Sequence, residues 1–297
     1  MKTVLSFGET LWDLLPTGPA LGGAPCNLAY RVNSLGERGV IVTRLGRDDL
    51  GRKAFDQIAG LNMETRFIQW DDAHATGTVP VKVDGRGVPD FTILKDVAYD
   101  YIEPTDELLA LAPAADCICF GSLCQRSPRT QQTLLTLLSA APQALKFFDI
   151  NLRKDCTSRP AVERSFYKTD ILKLNDTEAL ELRRMFDLTP TTPEDIAAEV
   201  LRRWGLKGCL VTLGERGAYA VAGGKEARVA GWKVDVVDTI GSGDAFSAAF
   251  LTSWLRGRSL EDCCILGNAL GALVAGTKGA TAPIALDEIQ RLCNRTI

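Results

Sequence analysis

The amino-acid sequence predicts an α/β fold: a central, mainly parallel β-sheet with helices on both faces and a small antiparallel β lid. Short apolar runs rich in β-branched and aromatic residues recur along the 297 residues, and helical patterns separate them. One stretch, 64–102, reads instead as strands with turn signals and contains no helical pattern. We therefore expect a single domain, 1–297, with a lid contributed mainly by 64–102.

The predicted elements follow in chain order. Strands are expected at 3–8, 40–45, 117–121, 146–150, 171–174, 209–213 and 218–221. Helices are expected at 24–35, 50–59, 128–140, 176–185, 193–204, 244–256, 260–275 and 286–294. The lid strands are expected at 64–70, 76–83 and 90–95, with a turn at 84–87 whose Asp-Gly pair is a strong hairpin signal.

Composition narrows the class of protein. The net charge is −3, so there is no electrostatic case for a nucleic-acid or membrane partner. None of the nine cysteines forms a Cys-x-x-Cys pair and the only histidine is His74, so a zinc site is not expected. Buried, reduced thiols are expected instead, which predicts a cytoplasmic protein. With a single histidine, a carboxylate is the expected general base.

The strongest motif lies where a strand pattern gives way to a helical one, at Gly241, Ser242, Gly243 and Asp244. The two glycines let the backbone turn its N–H groups toward one point, and the helix N-terminus adds the positive end of its dipole. Such a site binds anions. Taken alone, the motif is also typical of a helix with a capping carboxylate, so both interpretations stay open here.

A second motif precedes the first helix. Gly22 and Gly23 stand before a helix with a proline in its first turn, so a ligand can approach the backbone closely. Asn27 can both donate and accept hydrogen bonds, which suits a hydroxyl-rich ligand. An ordinary glycine turn into an amphipathic helix is the alternative.

Two further segments place polar side chains just after apolar strands, where parallel sheets bind ligands. Asn151 and Arg153 follow one strand, and the arginine can clamp a phosphate or pair with a surface carboxylate. Asn175 and Glu178 follow another strand, three residues apart across a helix start, so both can face one site and hold hydrated Mg²⁺. The same spacing is typical of a capping box.

Together these segments resemble the ribokinase-like (PfkB) family of sugar and nucleoside kinases. A Gly-Gly-x-Pro-x-Asn segment at 22–27 and an Asp-Thr-x-Gly-x-Gly-Asp segment at 238–244 match the two signature regions of the family in the right order. The resemblance runs from Gly8 to about Pro283. The segments 8–13 and 149–153 and the short lid look most like bacterial fructokinases.

The resemblance implies roles for individual residues. Asp244 would take the proton of a sugar hydroxyl as its oxygen attacks the γ-phosphate of ATP, and Gly241, Ser242 and Gly243 would supply the N–H groups of an anion hole. Asp13, following the first strand, would hold the sugar with Gly22, Gly23, Asn27, Asn151 and Arg153, and the aromatic residue Tyr99 is a further candidate. The nucleotide side would consist of Asn175, Thr212, Gly214, Gly217 and Asn268.

The resemblance also implies metal ions. Glu178 would position Mg²⁺ through water. A monovalent cation such as K⁺ would bind the Asp238 carboxylate and the backbone oxygens of Ile240 and Gly279. Two departures from the family pattern stand out: Ile150 replaces a proline, and the segment 276–283 lacks an arginine and is one residue shorter, which bears on the cation site.

We therefore expect an ATP-dependent kinase of a ketohexose, with D-fructose as the expected substrate. The alternatives within the family are 2-keto-3-deoxygluconate, ribose and nucleosides. A non-catalytic sugar- or nucleotide-binding protein would lack the base or the glycines, and both are present. A dinucleotide-dependent oxidoreductase would need a Gly-x-Gly-x-x-Gly turn after the first strand, which is missing. An apolar lid face would favour a homodimer.

Overall fold

A computed structural model describes residues 1–15, 18–83 and 89–295 of the chain. The strands in these ranges are β1 (Thr3–Phe7), β2 (Leu11–Leu15), β3 (Gly18–Gly22), β4 (Arg38–Gly46), β5 (Ile68–Asp71), β6 (Gly77–Val83), β7 (Pro89–Phe91), β8 (Cys117–Phe120), β9 (Leu145–Asp149), β10 (Ile171–Asn175), β11 (Gly208–Thr212), β12 (Ala218–Ala222) and β13 (Lys225–Val229).

The α-helices in the same ranges are α1 (Ala24–Ser34), α2 (Asp49–Gly60), α3 (Asp106–Leu111), α4 (Pro128–Ala140), α5 (Arg159–Phe166), α6 (Asp176–Phe186), α7 (Pro193–Trp204), α8 (Ser242–Leu255), α9 (Leu260–Ala275) and α10 (Leu286–Cys293). Side-chain caps begin several of them, such as Asp48 for α2, Thr192 for α7 and Ser259 for α9.

Nine strands form the central sheet, in the order β13-β12-β11-β10-β9-β8-β1-β4-β5. Every pairing from β11 to β5 is parallel, and only the β11-β12-β13 edge is antiparallel. The predicted mainly parallel sheet is therefore confirmed. Because the central strands run the same way, the carboxyl ends of β1, β8, β9, β10 and β11 meet at one edge, where ligands bind in such sheets.

Helices cover both faces of this sheet because its strands are apolar on both sides. On β1, Leu5 and Phe7 pack into one core while Val4 packs into the other, as the alternation of side chains along a strand requires. All nine cysteines are buried and free, as the sequence predicts. Within the described ranges, no helix is long and apolar enough to cross a membrane.

A second sheet forms the lid, and its make-up corrects the range predicted for it. Its four strands are ordered β3-β2-β6-β7, and two of its three pairings are antiparallel. The segment 11–22 supplies half of them, whereas the strand expected at 64–70 is β5, which pairs with β4 in the central sheet. The turn expected at 84–87 lies outside the described residues. That the whole chain, 1–297, is one domain stays a prediction.

Candidate active site

The N-terminus of α8 carries the Gly-Ser-Gly-Asp motif. Gly241 precedes the helix with φ of 78°, and a Cβ there would lie 2.3 Å from the Cβ of Ala280, so only glycine fits. The N–H groups of Gly241 and Gly243 have no acceptor among the described residues. The N–H of Ser242 donates to the Thr239 carbonyl at 3.2 Å, so the anion hole predicted from three residues needs correction at this position.

Asp244 lies in the first turn of α8, half-buried, and its carboxylate faces α1. Asn27 Nδ2 donates to Asp244 Oδ2 at 2.8 Å, which joins the two sequence motifs at one point. Asn27 is itself 4% exposed. Its amide therefore orients the carboxylate, a contact that the sequence did not predict for a residue assigned to the sugar.

Electrostatics favour Asp244 as a base. Burial raises its pKa to about 6, and the nearby Asp149 carboxylate adds to the increase. The hydrogen bond from Asn27 and the positive charges of Lys173 and Arg153 act in the opposite direction. A carboxylate with this pKa is a stronger base than a free aspartate and remains mostly ionised at pH 7.

A cavity of about 870 Å³ opens beside this helix terminus. It is lined by all five residues predicted to bind the nucleotide, namely Asn175, Thr212, Gly214, Gly217 and Asn268. Ser242 and Gly243, which directly precede Asp244, also line it. Trp232 and Phe246 supply apolar surface, which suits a planar base.

One lining residue, Lys173, was missed. It lies on β10 with 6% of its surface exposed, and its Nζ donates to Asp149 Oδ1 at 3.0 Å. Asp149 Oδ2 accepts from Ser247 Oγ at 2.7 Å. A signal was available in the sequence, because a lysine inside the apolar run Ile-Leu-Lys-Leu-Asn must find a buried partner.

Asn175 and Glu178 form a capping box at the start of α6. Asn175 Oδ1 accepts from the Glu178 N–H, and Glu178 Oε2 accepts from the Asn175 N–H, each at 2.8 Å. Glu178 Oε1 accepts from the Leu152 N–H at 2.9 Å, so each carboxylate oxygen already has a backbone partner. The capping-box interpretation is therefore confirmed and Asn175 also lines the cavity, while the role of the two residues toward Mg²⁺ stays a prediction.

Gly22 and Gly23, the sugar-side glycines, lie where the lid strand β3 ends and α1 begins. A Cβ on Gly22 would lie 2.7 Å from Asp13 Oδ2, and one on Gly23, where φ is 113°, would lie 2.4 Å from the Glu9 carbonyl oxygen. Asp13 is in the middle of β2 in the lid, which corrects its placement directly after the first strand. Burial raises its pKa, and the charge of Arg153 lowers it, so the guanidinium lies close by.

Glu9 is a second acid that sequence reasoning missed. It is 3% exposed, and its Oε2 has no hydrogen-bond partner within the described part of the chain. Burial raises its pKa to about 7, while the charge of Arg153 lowers the pKa and that of Asp244 raises it. The positive charge of Arg153 therefore acts on three carboxyl groups, those of Asp13, Glu9 and Asp244.

Asn151, two residues before Arg153, has φ of 44° and accepts a hydrogen bond from Ser122 Oγ through its backbone oxygen.

Tyr99 is not in the sugar site, contrary to the prediction. Its side chain is fully buried, packed against Gly77, where a Cβ would lie 2.4 Å from the Tyr99 ring. Its hydroxyl accepts a hydrogen bond from Arg126 Nη2 at 3.0 Å. The ring stabilises the base of the lid instead of contacting a ligand.

The residues predicted to hold a monovalent cation do lie together. Asp238 Oδ1 accepts from the Ile240 N–H at 3.0 Å, and Oδ2 accepts from the Gly279 N–H at 3.1 Å. These bonds join the turn before α8 to the loop after α9. No group of three or more acidic, histidine or cysteine side chains that could hold a metal occurs in the described ranges.

Comparison with known proteins agrees with this geometry. The family model described as pfkB family carbohydrate kinase matches residues 17–286. Among the relatives, the Arabidopsis thaliana protein named "Probable fructokinase-3" is 31% identical over 96% of this chain and 89% of its own length. A 2-dehydro-3-deoxygalactonokinase of Haloferax volcanii is 28% identical over 97% of this chain and 96% of its own.

Among solved structures, a double-mutant fructokinase of Vibrio cholerae with fructose, ADP and a potassium ion bound has a TM-score of 0.84. It is 22% identical, and 99% of this chain and 98% of that one are covered, so the match supports the fold. The fold and the site define a small-molecule phosphotransferase. The chain belongs to the PfkB family of carbohydrate kinases, as the sequence motifs predict, and is a sugar kinase.

Proposed function

We propose that this sugar kinase transfers the γ-phosphate of ATP to a hydroxyl of D-fructose, with Asp244 as the base. The observation that supports the proposal is the Asn27–Asp244 hydrogen bond. It joins a carboxylate of raised pKa, one residue after the cavity-lining Gly243, to the helix that follows Gly22 and Gly23. The likeness to plant fructokinases supports fructose as the sugar.

The reaction can be followed on the residues of this chain. The sugar hydroxyl gives its proton to an Asp244 carboxylate oxygen as its own oxygen forms a bond to the γ-phosphorus. The bond from that phosphorus to the bridging oxygen breaks, and ADP leaves with its electron pair. In this proposal the N–H groups of Gly241 and Gly243 and the ammonium of Lys173 stabilise the negative charge on the phosphate oxygens. Gly243 and Lys173 line the cavity.

Asn268 is the proposed contact to the base. Its Nδ2 donates to the carbonyl oxygens of Val229 and Ala230, each at 3.3 Å, which fixes the orientation of the amide. The amide oxygen is then left to accept a hydrogen bond from an amino group. Adenine carries such a group.

Mg²⁺ fits the site as an ion brought in by the nucleotide. Because the Glu178 oxygens are engaged by backbone N–H groups, this carboxylate would contact the ion through water, as the sequence motif implies. When bound, Mg²⁺ neutralises charge on the phosphate oxygens.

A monovalent cation, with K⁺ as the candidate, is proposed beside Asp238. Support comes from the hydrogen bonds by which Asp238 joins Ile240 and Gly279, next to the helix terminus that would bind phosphate. If the ion supports this turn, turnover should be higher in potassium than in tetramethylammonium buffer. Equal turnover in the two buffers would show that no potassium ion supports this turn.

A keto acid is the second candidate acceptor, and Arg153 favours it. This guanidinium is exposed, and no hydrogen bond or ion pair joins it to another described side chain, yet its charge acts on Asp13 and Glu9. A sugar acid could place its carboxylate there, as 2-keto-3-deoxygluconate would. The relative named 2-dehydro-3-deoxygalactonokinase adds support.

We also propose a cytoplasmic homodimer that forms through the lid. The lid strands β3 and β7 are edge strands in their sheet, and unpaired edges invite pairing with another chain. One chain has a mass of 32.2 kDa, and sedimentation velocity should then show a single species of twice that mass. A monomer at micromolar concentration would contradict this.

The acceptor is tested by a panel of D-fructose, 2-keto-3-deoxygluconate, ribose and nucleosides with ATP and Mg²⁺, in which sugar phosphate and ADP are both measured. We expect the highest kcat/KM for D-fructose. If Arg153→Met lowers kcat/KM much more for the keto acid than for fructose, and the keto acid is the better substrate of the unmodified chain, the second candidate replaces the first.

A further inference from the structure

Asp149 forms a buried ion pair with Lys173 beside the site and has no role in the reaction described above. Asp149, the last residue of β9, is directly opposite Lys173 in the parallel pairing with β10, and the two side chains are each 8% exposed. Besides Lys173 Nζ, the Asp149 carboxylate accepts the hydroxyl of Ser247. Burying two charges costs desolvation that their attraction barely offsets, so such a pair is weak evidence for stability.

Both members of the pair face the reacting groups. A Cβ on Gly243 would lie 3.2 Å from Lys173 Nζ, so the ammonium is next to the backbone that would bind the phosphoryl group. Asp149 and Asp244 line the same cavity of about 10 Å³. Ser6 also lines it, and the Ser6 hydroxyl is fully buried without a partner in the described part of the chain.

We infer that Asp149 is a positioning residue for phosphoryl transfer, which holds the Lys173 ammonium beside Gly243 and away from the Asp244 carboxylate. This inference rests on the proposed role of Asp244 as the base. Lysine has a flexible stem, and an ammonium released from Asp149 could pair with Asp244. That pairing would neutralise the base and withdraw the cation from the phosphates.

Ser247 connects Asp149 to the helix that carries Asp244. It lies one turn after Asp244 on α8 and donates a hydrogen bond to Asp149 at the end of β9. This bond fixes the helix that carries the base to the strand whose aspartate holds the lysine. The sheet and the helix terminus are thereby held in one geometry, which aligned phosphoryl transfer requires.

The charges around Asp244 make the inference measurable. Apart from burial, the charged groups that act on its carboxyl are Asp149, Lys173 and Arg153, and Glu9 and Arg31 also interact with it. The negative charge of Asp149 raises the pKa of Asp244, and the positive charge of Lys173 lowers it. Removing the Asp149 charge should therefore move the acid limb of the kcat/KM profile to lower pH.

The test compares Asp149→Asn and Ser247→Ala with the unmodified protein, with Asp170→Asn as the matched control. Asp170 also pairs with a lysine, Lys207, at 2.9 Å, but before β10 at the opposite edge of the sheet. For Asp149→Asn we expect kcat/KM about 10- to 100-fold lower. We also expect a higher KM for ATP and an acid limb shifted to lower pH.

Ser247→Ala should lower kcat/KM about 3- to 10-fold and leave the limb in place, because the charge of Asp149 remains. The control, Asp170→Asn, should change neither kcat/KM nor the position of the acid limb. Thermal melting reports whether each variant is folded. A folded Asp149→Asn with unchanged acid limb and unchanged KM for ATP would overturn the inference.

If Asp149→Asn does not fold, Ser247→Ala decides the matter, since turnover equal to that of the unmodified protein would overturn the inference as well. Failure of the proposed function has a different signature: the unmodified protein would then form no sugar phosphate from any acceptor.

Discussion

Two Asp–Lys pairs join β10 to its surroundings at opposite edges of the central sheet, and they differ most in the burial of the lysine. At the carboxyl edge, Lys173 Nζ is 3.0 Å from Asp149 Oδ1, and both side chains are 8% exposed. At the amino edge, Lys207 Nζ is 2.9 Å from Asp170 Oδ1, with 72% of the lysine side chain exposed. The distances are the same within a tenth of an ångström, so any difference in effect comes from the environment.

The comparison shows where charge matters in this molecule. In water the attraction between the exposed pair is screened, and such pairs contribute about 0–1 kcal/mol to stability. For the buried pair, burial lowers the pKa of Lys173, but Asp149 and Glu178 outweigh this effect and the net shift is upward. The lysine is therefore kept charged in the lining of the cavity, whereas Lys207 is at the opposite edge of the sheet.

Of the two pairs, the buried one should have the larger effect on activity when its cation is removed. Lys173→Met should lower kcat/KM about 10- to 100-fold, since one charge-assisted hydrogen bond to the phosphates is lost. The acid limb should move to higher pH, because the charge of Lys173 lowers the pKa of Asp244. The matched variant Lys207→Met should leave both quantities unchanged. Equal effects of the two variants would show that the burial of the pair does not determine its effect on activity.

Two glycines extend the comparison to the backbone. Gly241, at the carboxyl edge, and Gly205, at the end of α7, both have positive φ, 78° and 68°. A Cβ would collide with Ala280 at Gly241 but meets nothing within 4 Å at Gly205. We expect Gly205→Ala to lower the free energy of unfolding by about 1 kcal/mol and Gly241→Ala by roughly 2–4 kcal/mol.

Gly241→Ala should in addition lose most kinase activity, because the helix terminus must shift to relieve the collision. Urea unfolding and initial rates measure the two effects. Equal losses of stability in both variants would show that the close contact with Ala280 is not a constraint.

A smaller effect concerns the pH dependence at the carboxyl edge. Asp244 acts as a base only when ionised, so kcat/KM should fall about tenfold per pH unit below the pKa, which lies at about 6. Glu9, with pKa about 7, is the other acid nearby. In Glu9→Gln the limb should persist near pH 6 or slightly lower. A limb near pH 7 that vanishes in this variant would assign the titration to Glu9 instead.

The smallest effect is expected at the amino edge. Asp170→Asn removes the partner of Lys207 but keeps a side chain of the same shape. We expect the free energy of unfolding to change by less than about 1 kcal/mol, with no change in kcat/KM. A loss above about 2 kcal/mol in urea unfolding would show that the exposed pair is structurally important after all.

Local patterns in the sequence predicted seven strands of the central sheet and eight helices closely, because apolar periodicity and caps report local structure. They missed β13, α3 and α5 and assigned β5 to the lid. The helix expected at 128–140 is α4 (Pro128–Ala140), and the one at 260–275 is α9 (Leu260–Ala275). The strands β2 and β3 escaped detection, because the apolar run that forms them is short and contains glycine and proline.

For the candidate site, the motifs identified the residues but not their partners. Asn27 and Asp244 are 217 residues apart, and the hydrogen bond between them depends on how α1 packs against α8. Tyr99 was assigned to the ligand because aromatic rings suit sugars, yet tertiary packing buries it completely. Long-range contacts of this kind leave no local signal in one sequence.

The central claim is that Asp244 takes the proton of the sugar hydroxyl. The most direct measurement is the rate of sugar phosphate formation from ATP and D-fructose by the unmodified protein and by Asp244→Asn, with binding of both substrates measured separately. We expect a kcat at least about 100-fold lower in the variant, with ATP and fructose still bound. A folded variant that keeps most of the turnover would contradict it.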